Sequence, residues 1–168
     1  MEKASNDNVF SKSTIFSKNN IDMPIEQRNT SKGRPSAIVM LGRPLNNMQN
    51  NLLEVLPEYN SMVIVKDNKV RMVDLAALTA VTGVEFALFS RGSERLVIRG
   101  DETHVRIDVD MAKQLRNKGF TWISHTHPGF DRKCLLASKG DKIILNEFEQ
   151  ETSVIYNSIG QMEMFRTD

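Results

Sequence analysis

His125-Thr126-His127-Pro128-Gly129, followed by Ser138-Lys139-Gly140-Asp141, gathers two imidazoles, a hydroxyl and a carboxylate within seventeen residues. These are the donor types of a catalytic zinc site, where three protein ligands leave a fourth position for water and the ion lowers that water's pKa toward neutrality. The histidines close Phe120-Thr121-Trp122-Ile123-Ser124, a run of β-branched and aromatic residues that predicts a strand. Residues i and i+2 of a strand point to one face, about 6 to 7 Å apart along the backbone, so both rings can reach one ion. Pro128-Gly129 then ends the strand.

A third ligand is required, and Asp141 is placed for it. On a helix beginning near Lys139 it shares the core-facing side with Ile144, Leu145 and Phe148. A carboxylate on that side is costly to bury unless a cation or hydrogen bonds compensate it. Ser138, three residues earlier, suits the N-cap of the same helix, and a hydroxyl there can also donate to a developing oxyanion. The proton of an activated water needs a base, and Glu85 is the candidate. It interrupts Thr82-Gly83-Val84-Glu85-Phe86-Ala87-Leu88-Phe89, a run apolar on both faces, as in a strand covered on two sides. The alternative for Glu85 is a strand end with its head in water or paired to an arginine.

The other polar candidates have plainer readings. A His-x-His is commonly a surface or turn pair, but here it uses two of the three histidines in the chain and is followed by Pro-Gly and Ser-x-x-Asp, which favours metal. His104 alternates with Val105 and Ile107 and is expected on a strand face or edge rather than as a fourth ligand. Cys134 could act as a nucleophile beside a histidine, yet Lys133 and Leu135 give it no activating context, so a small buried or loop residue is expected. Arg132 and Lys133 lie in the loop before Ser138, either meeting an acidic substrate or simply solvated.

The elements that must position these residues follow from the patterning. At 168 residues, with 40 % hydrophobic and 26 % charged, the chain suits one globular domain. Twenty-two basic against twenty-one acidic residues give no broad electrostatic case for nucleic acid or an anionic membrane. No apolar run approaches the roughly 20 residues that cross a bilayer. The N-terminus has no secretory signal stretch, so a soluble protein is expected, cytoplasmic or exported by a route without that signal. Residues 1–35 are polar and aperiodic and predict a leader disordered when alone, either a secretion or chaperone-binding segment or a solvated extension. The folded domain is expected over 36–168, opening with a strand or buried segment at Ala37–Leu41.

Next come a helix over Asn50–Leu56, a strand over Met62–Val65, a turn at Asp67–Lys69 and a helix over Val73–Val81 closed by Gly83. Val84–Phe89, Arg95–Ile98 and His104–Ile107 predict three strands of an antiparallel meander. Asp110–Lys118 predicts a helix before the histidine strand, Lys139–Gln150 a second one after it, and Ser153–Tyr156 with Gln161–Phe165 a closing hairpin.

The His125 and Ser138 motifs together resemble the JAB/MPN metalloprotease superfamily, in which an upstream Glu precedes His-x-His-Pro and Ser-x-x-Asp. Residues 82–88 and 150–165 are similar to JAB-type domains of bacterial polymorphic toxins and effectors. The resemblance spans roughly residues 70–165. It implies an α/β domain with an MPN-like curved mixed β-sheet flanked by helices, and Zn2+ held by His125, His127 and Asp141. Glu85 would be the general acid/base and Ser138 would steady the tetrahedral intermediate. It further implies hydrolysis of peptide or isopeptide bonds in a protein substrate such as a ubiquitin or ubiquitin-like conjugate, with an immunity protein or secretion chaperone as further partners. Ten residues separate His127 from Ser138, a longer interval than is usual in the family, and this changes the loop facing the substrate. Two other functions are carried alongside: a non-catalytic MPN-like interaction module, and a metal-dependent nuclease toxin, which the near-neutral charge disfavours.

Overall fold

The computed structural model describes residues 44–167. The polar leader and the expected strand at Ala37–Leu41 lie outside the described residues. Helix α1 (Asn47–Val55) starts at a capping box in which the Asn46 side chain accepts from Gln49 N–H and the Gln49 side chain accepts from Asn46 N–H. After β1 (Met62–Lys66) and a 3-10 turn at Asp67–Lys69, α2 (Met72–Thr82) ends at Gly83, whose φ of 77° is the left-handed conformation that closes a helix. The hairpin β2 (Phe86–Arg91) and β3 (Glu94–Arg99) follows, then α3 (Val109–Asn117), β4 (Thr121–Thr126), α4 (Lys139–Glu147), β5 (Thr152–Tyr156) and β6 (Met162–Arg166).

All six strands form one mixed sheet in the order β1-β3-β2-β4-β5-β6, with β4 and β5 parallel and the other neighbours antiparallel. Helices cover both faces. Phe86, Leu88 and Val97 pack against Leu52 of α1, Leu56 at its C-cap, and Leu75 and Leu78 of α2. The alternate residues Ala87, Phe89, Leu96 and Ile98 pack against Ala112 and Leu115 of α3, Leu145 of α4 and Phe148 at the C-cap of α4. Burial on two sides explains why β2 and β3 lack a polar face. Among the described residues no helix is long and apolar enough to cross a membrane.

Three expectations need correction. His104–Ile107 forms no strand, so the meander stops at the β2–β3 hairpin. The Asp101 carboxylate accepts from the N–H groups of Thr103 and His104 at 2.9 and 3.0 Å and pairs with Arg106, so the segment folds onto a side chain instead of a neighbouring strand. His104 is accordingly an exposed loop residue beside Asp101. Secondly, β2 begins at Phe86 rather than Val84, because its partner β4 diverges there. Thirdly, α4 stops at Glu147, since Glu149 turns left-handed at φ 57° and frees the Gln150 side chain for another role.

That role is to anchor an irregularity in β4. Phe89 pairs with Trp122 but Leu88 with Ser124, leaving Ile123 as an extra residue, a β-bulge. The Gln150 amide accepts from Trp122 N–H at 2.6 Å and donates to Trp122 C=O at 2.9 Å, while Ser153 Oγ donates to the Trp122 and Ile123 carbonyls at 3.1 Å. Gln150→Leu removes the side-chain acceptor of the Trp122 N–H and the donor to its carbonyl and is expected to cost about 1–3 kcal/mol in urea unfolding; an unchanged midpoint would contradict this anchoring.

Candidate metal centre

The bulge decides which side chains share a face. It lets Trp122 and His125, three residues apart, both enter the core beneath α3 and α4, while His127 follows His125 by ordinary alternation. His125 pairs with Ala87 in the ladder and is 1 % exposed. At the end of β4 the chain keeps its bond to β5, from His127 N–H to Tyr156 C=O at 2.9 Å, but leaves β2. The Phe86 N–H instead reaches Thr126 Oγ1 at 2.9 Å, and this hydroxyl also meets Thr79 Oγ1 of α2 at 2.5 Å. Thr126 thus spans the opening between the strands from the opposite face.

Asp141 enters from the first turn of α4. Ser138 is its N-cap, with Asp141 N–H donating to Ser138 Oγ at 3.0 Å and Ser138 N–H donating to Asp141 Oδ2 at 2.9 Å. Asp141 Oδ1 lies 3.2 Å from His125 Nε2 and Oδ2 lies 3.3 Å from His127 Nε2, and the two Nε2 atoms are 3.1 Å apart. One ligand atom from each residue falls within 4.8 Å of the others, a group that could hold a metal ion.

Protonation states suit that use. His127 Nδ1 is 2.7 Å from the Cys134 carbonyl, which can only accept; Nδ1 therefore donates there and Nε2 is the ring atom left to face the group. Burial holds the His125 imidazole below its ordinary pKa, against the pull of Asp141, so it favours the neutral form a ligand needs. Burial would raise Asp141, but hydrogen bonds from His125 and His127 outweigh it and keep the carboxyl well below the usual range. Two neutral imidazoles and a carboxylate are what a divalent cation such as zinc binds.

Glu85 sits just before β2, 5 % exposed, its backbone fixed by Glu85 N–H to Asp101 C=O at 2.9 Å and Gly100 N–H to Glu85 C=O at 2.7 Å. Its Oε2 is 3.9 Å from His127 Nε2. The alternative of a head in water or an arginine pair does not hold: the carboxyl is buried, and among the described residues no arginine or lysine pairs with it. Burial first, then the carboxylates of Asp141 and Asp101, push its pKa from 4.5 up to about 9.

The remaining candidates are peripheral. Arg132 is held by Glu163 of β6 at 2.7 Å and Lys133 is exposed in the same 3-10 turn, Arg132–Leu135. Cys134 is half-buried, and its contribution is its carbonyl rather than its thiol. Its sulfur occupies the space a Cβ on Gly129 would need, and Gly129 has φ 138°, so both sterics and backbone require glycine there. Sequence reasoning passed over Thr126, Cys134 C=O, Trp122 and Gln150. Only Thr126 carried a usable signal, a hydroxyl that alternation turns into the opposite, apolar core.

No protein-family model, curated protein or solved structure matches this chain.

In metal-free protein Glu85 keeps its proton between pH 4.5 and about 9, a window in which the unfolded chain loses it. The native state then binds more protons, so stability falls as pH rises through that window. In EDTA, Glu85→Gln is expected to melt near wild type at pH 4.5 and above it at pH 8; parallel pH profiles of Tm would contradict this.

Proposed function

We propose that this chain is a zinc-dependent peptide or isopeptide hydrolase of the JAB/MPN type, acting on protein substrates of the ubiquitin or ubiquitin-like conjugate class. The observation that carries the reading is the buried Glu85 carboxyl, without an arginine or lysine partner among the described residues, 3.9 Å from a histidine of a His-His-Asp group. A structural metal site needs ligands only, whereas a fourth ionisable group facing the ligands from another element suits general acid/base work.

His125, His127 and Asp141 would hold the ion. Zinc, when bound, supplies Lewis acidity for the scissile carbonyl and for the attacking water. Its charge also favours the ionised form of Glu85, offsetting the burial that otherwise keeps this group protonated. Glu85 takes the water's proton and delivers it to the leaving amine. Ser138 Oγ, whose lone pair accepts from Asp141 N–H, retains its hydroxyl hydrogen to donate to the developing oxyanion. Because Ser138 and Asp141 form one capping box, the oxyanion donor and the ligand are held by the same helix turn.

Metal analysis and turnover of a panel of di-ubiquitin and ubiquitin-like conjugates test this reading. Wild type is expected to carry one zinc per chain. Glu85→Gln is expected to keep the zinc and lose at least about 10²-fold in turnover, the range general base catalysis supplies. Asp141→Ala is expected to lose both. Full activity of Glu85→Gln would remove Glu85 from the mechanism, and a zinc-free wild type would favour the interaction module.

A further inference from the structure

The two imidazoles are not supported in the same way. A metal-ligating histidine ordinarily donates its second ring N–H to a carbonyl or carboxylate, which fixes the ring plane and raises its basicity. His127 does so through Cys134 C=O. His125 does not: its Nδ1 is buried with no hydrogen-bond partner among the described residues. Something else must orient a ring that is 1 % exposed and set at the centre of the group.

Resting on the zinc-centre reading above, we propose that Trp122 is the positioning residue for His125, holding the imidazole plane by ring stacking where the usual hydrogen bond is missing. The indole and imidazole centroids are 4.9 Å apart with an interplanar angle of 29°, a stacked pair. Phe165 closes the other direction, its ring edge-on to both, 5.7 Å from His125 and 5.8 Å from Trp122. Trp122 in turn packs against Phe89 and Phe148, at 6.3 and 6.2 Å, two rings that stack on each other at 5.6 Å. The β-bulge is what makes the pair possible, since regular alternation would send residues 122 and 125 to opposite faces. Packing thus does for His125 what Cys134 C=O does for His127, without adding electron density to the ring.

The test compares wild type, Trp122→Leu, Trp122→Met and Leu115→Ala. Leu115 of α3 is buried in the same core and controls for its general loosening. Zinc affinity is measured by chelator competition and the fold by circular dichroism in EDTA. Loss of the stack is expected to weaken zinc about 10- to 100-fold, as for a lost ligand support, in both folded Trp122 variants. Leu115→Ala is expected to lower Tm and leave zinc affinity near wild type. Equal zinc affinity in wild type and a folded Trp122 variant would overturn this inference alone, as would a matching loss in Leu115→Ala. A wild type that binds no zinc would overturn the functional reading and this inference with it. If neither Trp122 variant folds, the His125 ring protons of metal-free wild type decide: upfield shifts from the stacked indole support the proposal, and ordinary shifts overturn it.

Discussion

Two imidazole Nε2 atoms held 3.1 Å apart, opposite the two oxygens of one carboxylate, are the constraint on which this end of the molecule depends. Two lone pairs cannot face each other at that distance in a buried setting without a proton or a cation between them. Asp141 favours positive charge there, while the burial of His125 disfavours placing it on the ring. A divalent ion satisfies both demands, keeping the rings neutral and the carboxylate charged.

Each of the three side chains reaches that point through a different device. His125 depends on the bulge at Ile123, which Gln150 and Ser153 stabilise from the β5 side. His127 depends on the turn that brings Cys134 C=O under its Nδ1. Asp141 depends on the Ser138 capping box, which removes one rotational freedom of the carboxylate by binding Oδ2 to the helix start. Glu85 is held separately, by backbone bonds to Gly100 and Asp101, and is tied to β4 through Phe86 N–H and Thr126 Oγ1. The two faces of the sheet therefore divide the work. The histidines of the group project toward α3 and α4, and the hydroxyl that spans the strands projects toward α2.

Much of this was legible in the sequence because the strongest signals are local. The helix end at Gly83, the N-cap at Ser138 and the closing hairpin follow from residue types acting within a few positions. The run apolar on both faces singled out Glu85 but left a head in water or an arginine pair open, and it is the fold that buries the carboxyl. The failures are of a different kind. Val105 and Ile107 alternate as a strand would, but the Asp101 side chain captures the local N–H groups, so the pattern marks apolar contacts of a loop. The start of β2 shifted because a side-chain hydroxyl replaced a ladder bond 40 residues away in sequence. The bulge at Ile123 and the carbonyl of Cys134 act through backbone geometry, and no residue type announces them. The MPN likeness of the sheet remains a proposal carried by the motif, whereas the mixed α/β sheet with helices on both faces stands on its own.

The most direct test of the central claim is X-ray absorption at the zinc edge of the purified protein. The account predicts a shell of nitrogen and oxygen at about 2.0–2.2 Å, with outer-shell scattering from two imidazoles that falls to one in His127→Ala. A sulfur scatterer from Cys134, an imidazole count unchanged in that variant, or no bound zinc at all would contradict it.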